Sequence, residues 1–263
     1  VEMERNTPFD KPVEFYDFAF MPKFDENIGS LKNMIEQEEW GYKKTNSTHQ
    51  YPILRNYLVY TYQRIAEENK IVITNDEEYS CWNTGLITPN QESVFILFVR
   101  NNLKDKQNYW HFWKFCRRGE REMDKFSKLP EMAQYIKNPA QLVFDFRKEL
   151  RVNVEHIIEE NKERFSPELQ SMNSFGLNNL VKGAVDSATE RVKRNYKTAI
   201  PQYHQGNIQL LLPVCLLNPK VSDLALVIEN NGDFYRGTTC LTLDRAYNNA
   251  RLLACPDRDW LAP

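Results

Sequence analysis

Strand-forming runs in this sequence are grouped in two blocks, and helix-forming segments lie between them. The first block falls between residues 71 and 115, and the second between residues 208 and 243. In both blocks, β-branched and aromatic residues are bounded by polar turn residues, which is typical of antiparallel strands. Because strands and helices do not alternate regularly, the pattern favours an α+β fold over a doubly wound sheet.

Apolar residues at helical spacing mark the predicted helices. These begin at Asn27 and Pro52 and span residues 147–161, 178–198 and 244–253. The segment 178–198 carries the longest apolar stripe, and Pro201 enforces its end. Residues 142–146 are predicted to form a strand, and residues 230–233 a tight turn between two strands.

Residues 1–26 combine prolines with many aromatic side chains, so we predict an extended N-terminal arm that lies over the core. Residues 27–263 are predicted to form a single α+β domain, with an antiparallel or mixed β-sheet core and several packed helices. No internal repeat is apparent in the sequence. If the domain divides, the loop at residues 166–176 is the best boundary. The start at Val1 indicates a piece of a longer protein.

Composition limits the classes of function. The formal net charge of -2 provides no global field for a polyanion, so any nucleic-acid contact has to be a local patch. The five cysteines are dispersed and form no CxxC pair, which is typical of free thiols in a reducing compartment. No apolar run has the length of a membrane span and no signal pattern opens the chain, so we expect no membrane contact and a cytosolic or nuclear setting.

Catalytic signatures such as GxxxxGK[ST], GxGxxG, GxSxG and HExxH are absent. The four histidines are too dispersed to define a metal site, so no metal site is predicted, and the sequence identifies no cofactor. His204 follows the long helix closely and is the first candidate for proton transfer. His156 is the second, although its helical position favours a structural role.

Two basic clusters are candidates for phosphate binding. Arg191, Lys193, Arg194 and Lys197 lie at the end of the long helix, where they are suited to clamp a phosphodiester. Complementing the helix dipole is the favoured alternative. The second cluster follows an aromatic strand, and a solvated edge is favoured there over a nucleic-acid groove. It comprises Lys114, Arg117, Arg118, Arg121, Lys125 and Lys128.

Two polar motifs offer further contacts. Asn83-Thr84-Gly85 combines an amide, a hydroxyl and a flexible backbone that suit a base or phosphate if they are exposed, although a simple turn has the same composition. Tyr247 and Arg251 are four residues apart on the last predicted helix. This pair is suited to stack a base and hold a phosphate, or else to cap and pack the helix.

The chain resembles the family known as domain of unknown function 3825 from about residue 40 to 261. The resemblance rests on short motifs in a shared order, at residues 53–58, 83–86, 156–165, 195–203, 210–213 and 246–251. Members of this family accompany RNA-associated modules such as cold-shock or LOTUS domains. The resemblance therefore implies work connected with RNA, and further RNA-binding domains in the full-length protein. Here Ser166 precedes Pro167, whereas the family places proline directly after the Arg-Phe pair, and His204 lies outside the motifs.

If the motifs converge, their polar side chains form one pocket for RNA or a nucleotide. The ligand-binding candidates are Asn83, Thr84, Asn161, Arg164, Asn195, Lys197, Gln202, Tyr203, Tyr247, Asn249 and Arg251. Arg191, Lys193 and Arg194 are the candidate nucleic-acid contacts.

Two alternative functions stay open. One is a phosphoester- or nucleotide-processing enzyme of nuclease or phosphodiesterase type. It would use His156 or His204 for proton transfer and Arg164 or Arg251 to stabilise charge. The other is a protein-interaction scaffold that recruits another subunit through the aromatic arm and strand edges. The sequence does not decide whether the protein is catalytic.

Overall fold

The computed structural model describes residues 6–42, 47–103, 105–256 and 259–261. The chain divides into two compact units, Val1–Tyr42 with Asn46–Gln134 and Lys43–Thr45 with Tyr135–Pro263. In the described part of the chain, each unit contains a five-stranded mixed sheet with helices. The predicted α+β class is therefore confirmed, while the assignment of residues 27–263 to one domain stays a prediction.

The first unit builds its sheet from an antiparallel meander and one short parallel strand. Its elements are α1 (Phe15–Phe18), β1 (Ala19–Phe20), α2 (Phe24–Met34), α3 (Pro52–Glu67), β2 (Val72–Ile73), β3 (Tyr79–Ile87), β4 (Ser93–Arg100), β5 (Trp110–Arg117) and a 3-10 turn (Arg121–Lys125). The strand order is β1-β5-β4-β3-β2, and β1 pairs in parallel with β5. The predicted meander and the predicted start of α3 at Pro52 are confirmed.

The start of α2 differs from the prediction. The helix begins at Phe24, and Lys23 precedes it in the left-handed region with φ of 54°. Asn27 lies inside the first turn, where its side-chain amide donates to the Pro22 carbonyl at 3.0 Å. A side chain suited to capping is thus used to fix the preceding loop.

Aromatic residues of the predicted arm belong to the core of the first unit. Phe15 stacks on Tyr62 with ring centroids 4.9 Å apart and meets Trp82 edge-on at 5.6 Å. Phe18 is also buried. These rings pack inside the unit, which removes them from any surface that recruits a partner. Residues 1–5 of the predicted arm lie outside the described residues.

A β-bulge follows Asn83, where the pairing of β3 with β4 shifts register. Gly85 adopts φ of +74°, and a Cβ atom there would lie 2.8 Å from the Tyr57 hydroxyl oxygen. That hydroxyl donates to the Thr84 carbonyl at 2.9 Å. Glycine is therefore required both by the backbone conformation and by the close approach of Tyr57.

We expect Gly85→Ala to lower the free energy of unfolding by about 2 kcal/mol, from backbone strain and displacement of Tyr57. In a Tyr57→Phe background the hydroxyl that clashes with the new Cβ atom is absent. Gly85→Ala should then lower the free energy of unfolding by only about 1 kcal/mol, from backbone strain. Urea unfolding measures both. Gly183→Ala is the control, because no atom lies within 4 Å of its Cβ position in a helix. Equal costs of Gly85→Ala in the two backgrounds would contradict the proposed clash.

The second unit has β6 (Glu149–Val152) as its opening strand and α7 (Leu243–Arg251) as its last α-helix. Between these lie α4 (Val154–Asn161), α5 (Pro167–Gln170), α6 (Ser174–Arg194), β7 (Ile200–His204), β8 (Asn207–Val214), β9 (Leu224–Asn230) and β10 (Phe234–Leu241). Short 3-10 turns occupy Pro139–Leu142, Lys162–Arg164, Tyr196–Thr198 and Asp259–Leu261. The strand order is β6-β10-β9-β8-β7, and β6 pairs in parallel with β10.

Two predictions around residue 147 are wrong. Residues 142–146 form no strand, and the helix predicted from residue 147 begins only at Val154. The intervening β6 alternates, with Leu150 and Val152 against the core and the two charged residues on the other face. Pairing with β10 holds this four-residue alternation as a strand, and the Asn153 side chain then caps α4 by accepting from the His156 amide.

The long helix is also shifted from its predicted bounds. It begins at Ser174, after the side chain of Asn173 accepts from the Gly176 amide at 2.8 Å, and it ends at Arg194 rather than at residue 198. The chain then makes the 3-10 turn Tyr196–Thr198 and enters β7, which the sequence did not predict because of Pro201. Proline is tolerated here since β7 is an edge strand of the sheet.

Both units share one topology. In each, an opening strand is followed by helices and then by an antiparallel meander of four strands, and the last of these pairs in parallel with the opening strand. The sequence shows no repeat that indicates this. Of the helices that the structure describes, none has the length and apolar character required to cross a membrane.

Candidate functional site

A recess of about 230 Å³ opens on the second unit beside the 3-10 turn Tyr196–Thr198. The turn, the start of β7 and the end of α7 form its sides. Its walls are mainly apolar and include Ile200, Pro201, Ala250, Leu253, Ala254 and Pro256. Tyr196, Lys197 and Cys255 also line it and bring polar groups to an otherwise apolar surface.

Local hydrogen bonds fix the turn that carries Tyr196 and Lys197. The Asn195 side chain accepts from the Lys197 amide at 3.2 Å, and the Trp260 indole donates to the Thr198 carbonyl at 3.1 Å. The Tyr196 side chain stays 59% exposed. The Lys197 ammonium makes no ion pair or hydrogen bond within the described residues. An exposed ring and an uncompensated cation are thus held at the recess.

A chain of side-chain amides holds α7 against the sheet. Asn249 donates to Gln202 at 3.2 Å, Gln202 donates to Gln209 at 2.7 Å, and Gln209 donates to Glu229 at 2.6 Å. Gln202 is only 1% exposed. Gln202 and Asn249 were predicted to contact a ligand, but these bonds give them a positioning role for the wall that α7 supplies.

The tyrosines predicted to stack on a base are buried. Tyr247 faces the core, with its hydroxyl oxygen 3.8 Å from the Cys255 sulfur. Tyr203 is 9% exposed and packs edge-on against Tyr135 with centroids 4.7 Å apart. Burial leaves little ring surface of Tyr203 and Tyr247 for stacking, and their ligand role stays a prediction. Arg251 is partly buried on α7, and its ligand role stays a prediction.

Asn161 and Arg164 form a separate cluster between α4 and β10. The Asn161 side-chain oxygen accepts from Arg164 at 2.5 Å and from the Thr239 hydroxyl at 2.9 Å, while its amide donates to the Ile157 carbonyl. Arg164 also donates to the Cys240 carbonyl. Neither residue lines the recess described above. Their described polar contacts are internal, which supports a structural role.

The two candidate catalytic histidines are exposed and stand outside the lining of the recess. His156 Nε2 lies 3.3 Å from a carboxylate oxygen of Glu160, one turn further along α4. His204 is the last residue of β7, at the tight turn that leads into β8. Nothing in these positions tests catalysis, and the assignment of His156 and His204 stays a prediction.

Cations at the end of α6 are largely engaged within the unit. Arg191 donates to the Pro219 carbonyl and lies 3.5 Å from the Cys215 sulfur. Lys193 and Arg194 both pair with Glu190, at 2.8 and 3.7 Å. These contacts agree with the helix-surface alternative, and the predicted nucleic-acid role of Arg191, Lys193 and Arg194 stays a prediction.

Asn83 and Thr84 belong to the first unit, where they build the bulge in β3. The Thr84 hydroxyl is buried and donates to the Val94 carbonyl at 2.6 Å. Asn83 accepts from the Gly85 amide at 2.9 Å. The motif lies within a strand and uses its polar groups to satisfy the bulged backbone, so the alternative of a simple turn is wrong and the ligand role of Asn83 and Thr84 stays a prediction.

A group of potential metal ligands in the described residues comprises Cys116, Glu120 and Glu122. The Lys114 ammonium lies 2.9 Å from both carboxylates and compensates their charge. Hydrogen bonds to these two carboxylates raise the pKa of Lys114. The lysine therefore takes the place that a cation would occupy.

Sequence reasoning missed Tyr196 and Cys255 as lining residues. Tyr196 lies within the motif Asn195-Tyr196-Lys197, but the tyrosines predicted to bind the ligand were Tyr203 and Tyr247. An aromatic residue beside a lysine, immediately after a helix end, was the available signal. No motif marked Cys255, because its position depends on how the chain leaves α7.

The fold and recess define an α+β protein with two meander sheets of one topology and a mainly apolar recess on its second unit. The chain belongs to the family named domain of unknown function, DUF3825, whose model matches residues 31–260. This confirms the resemblance found in the sequence. Comparison with curated proteins and with solved structures gives no match.

Proposed function

We propose that the recess of the second unit binds a base of single-stranded RNA or of a nucleotide. The main observation behind this proposal is that Tyr196 and Lys197 are consecutive residues that line an apolar recess, and the Tyr196 ring is exposed. In the proposed complex the apolar walls enclose the base, Tyr196 stacks on it, and Lys197 binds the adjacent phosphate. The RNA association implied by the family resemblance supports the same ligand class.

Physical magnitudes favour this arrangement. Stacking of a base on an aromatic side chain contributes about 1–3 kcal/mol and tolerates any base, because every base has a π face. Lysine contributes a mobile point charge that suits phosphate without fixed geometry. The volume of about 230 Å³ suits one base rather than several. We therefore expect weak base preference and clear salt dependence.

Composition of the recess favours binding over catalysis. Among the described residues that line it, none is a histidine or carboxylic acid. General acid–base catalysis most often uses a histidine or a carboxylic acid within hydrogen-bond reach of the substrate. The enzyme alternative thus depends on His156 or His204, which lie elsewhere on the unit.

The proposal predicts how RNA affinity responds to changes at Tyr196 and Lys197. Fluorescence anisotropy with labelled single-stranded RNA, at several salt concentrations, measures this response. We expect Tyr196→Ala to weaken binding by about tenfold through loss of stacking. Lys197→Gln should weaken binding and reduce the salt slope by about 0.7, the value for one phosphate on a single strand.

Lys182→Gln is the matched control, because Lys182 is an exposed lysine of the same unit that lies outside the recess lining. We expect its RNA affinity to equal that of the unchanged protein. Equal affinities for the Tyr196→Ala variant, the Lys197→Gln variant and this control would refute the recess as the binding site.

Cys255 provides an independent probe of occupancy. It is an exposed thiol of the recess, whereas Cys81, Cys116 and Cys240 are buried. In a Cys215→Ser background, adenosine or uridine 5′-monophosphate should slow the reaction of Cys255 with a disulfide reagent. The same rate with and without saturating nucleotide would place binding elsewhere.

A further inference from the structure

Three arginines of the first unit lie in one exposed turn. β5 ends at Arg117, and the Glu120 amide donates to the Arg117 carbonyl at 3.2 Å, which closes the turn. Arg117, Arg118 and Arg121 are all exposed. Within the described part of the chain their guanidinium groups make no hydrogen bond, ion pair or ring contact. We call these three residues the arginine turn.

The two nearest glutamates share one lysine as their ion-pair partner. Glu120 and Glu122 both bind the Lys114 ammonium, at 2.9 Å each. A hydrogen bond from Lys114 is the main cause that lowers the pKa of Glu122, and the nearby charge of Arg121 contributes without forming an ion pair. Residues 114–125 contain five cations and three acids, in a chain whose formal net charge is -2. Five cations against three acids give this segment a formal charge of +2, and the three arginines of the turn carry most of its positive charge.

This charge distribution has a physical consequence. Like charges that share one turn repel each other, and no described carboxylate forms an ion pair with them. Each guanidinium presents a planar set of donors that matches a phosphate in bidentate fashion. The chain is also open to a bulky ligand here, since no atom lies within 4 Å of the Cβ position of Gly119.

We propose that the arginine turn binds the phosphate backbone of single-stranded RNA. The choice of RNA as the ligand rests on the proposed function, whereas the anion site follows from the turn itself. A phosphodiester chain carries one negative charge on every nucleotide, which suits cations that are close together in sequence. Because contacts to phosphate carry no sequence information, this surface binds without base preference.

An abasic deoxyribose-phosphate oligomer isolates this contact, because it has a backbone and no bases. Its affinity for the full chain is measured by fluorescence anisotropy at 50, 100 and 200 mM salt, beside that of single-stranded RNA. We expect Arg118→Gln/Arg121→Gln to weaken binding of both ligands by about tenfold at low salt. The salt slope should fall by about 1.4, the value for two phosphates on a single strand.

Lys11→Gln/Lys23→Gln is the matched control, because it removes two charges from exposed lysines of the same unit that lie outside the second basic cluster. We expect it to retain affinity for the oligomer. Equal affinity of the arginine and lysine variants for the abasic oligomer would overturn the inference. Tighter binding of the unchanged protein to polyglutamate or anionic vesicles than to the oligomer would also overturn it, in favour of an acidic protein or a membrane.

The same measurements separate the two proposals. The abasic oligomer cannot stack, so Tyr196→Ala should leave its affinity unchanged while weakening RNA. If Tyr196→Ala has no effect on RNA but the arginine variant weakens the oligomer, the recess proposal fails and the arginine turn stands. If Tyr196→Ala weakens RNA binding and the arginine variant changes the affinity for neither ligand, the recess proposal stands and the arginine-turn proposal fails.

Discussion

We expect Glu68→Gln to lower the free energy of unfolding of the first unit by about 3 kcal/mol. The Glu68 carboxylate pairs with Arg64 at 2.6 Å and with Lys70 at 2.8 Å, and accepts the Gln134 amide at 3.0 Å. The side chains of Glu68, Arg64 and Lys70 are only 14–17% exposed. Glutamine keeps the shape of Glu68 but leaves the partly buried Lys70 ammonium without its counter-charge and Arg64 with only the exposed Glu67 as a partner, and that deficit dominates the cost.

Urea unfolding measures this effect, and Glu67→Gln is the control. Glu67 also pairs with Arg64, at 3.1 Å, but its side chain is 61% exposed. An exposed pair contributes about 0.2–1 kcal/mol, so the control should cost well under 1 kcal/mol. If the two substitutions cost the same, the charge of Glu68 is not the reason for its effect.

The effect of Glu68→Gln should depend on pH. Burial raises the pKa of Glu68, but hydrogen bonds from Lys70 and the Gln134 amide, with the charge of Arg64, outweigh it and lower the pKa below the ordinary 4.5. Because the folded pKa lies below the unfolded one, the stabilisation is complete above pH 4.5 and is lost as pH falls through the folded value. The stability difference between the two proteins should therefore narrow from pH 7 to pH 3.

Asn161→Ala should destabilise the second unit by about 2–3 kcal/mol. The substitution removes the oxygen that accepts from Arg164 and Thr239, in a side chain that is 1% exposed. It also removes the amide bond to the Ile157 carbonyl. The cost is large because buried donors then lose their partner where water does not readily replace it.

Thermal unfolding of Asn161→Ala beside Thr239→Val tests this cluster. Thr239→Val removes one of the donors and keeps the bond between Arg164 and Asn161, so it should cost about 1 kcal/mol. A cost for Asn161→Ala no greater than that of Thr239→Val would show that Arg164 finds another acceptor.

Long elements with strong local patterns could be predicted from the sequence. β3 and β4 lie within the first predicted block of strands, because β-branched and aromatic runs there end at polar turn residues. β6 was predicted as helix because its alternation spans four residues and leads into a helical pattern. Its strand conformation depends on pairing with β10, more than 80 residues away in sequence. Such pairing leaves little local signal.

The site was predicted only in part, since residue type does not reveal burial. Of the predicted ligand contacts, Lys197 lines the recess, and Gln202 and Asn249 lie on the adjoining strand and helix. Tyr196 and Tyr203 both lie in the motif at residues 195–203, yet Tyr203 is 9% exposed and Tyr196 is 59% exposed. The difference arises because Tyr203 lies on a strand and Tyr196 in the turn before it.

The parallel closing pair of each sheet has a consequence for how the chain is made. The opening strand of each unit is synthesised long before the strand that it pairs with. Residue 19 pairs with residue 110, and residue 149 pairs with residue 234. The opening strand therefore cannot pair in the sheet until nearly the whole unit has been synthesised. Truncations that stop short of either late strand should therefore leave an unpaired edge and aggregate, whereas a break between complete units should not.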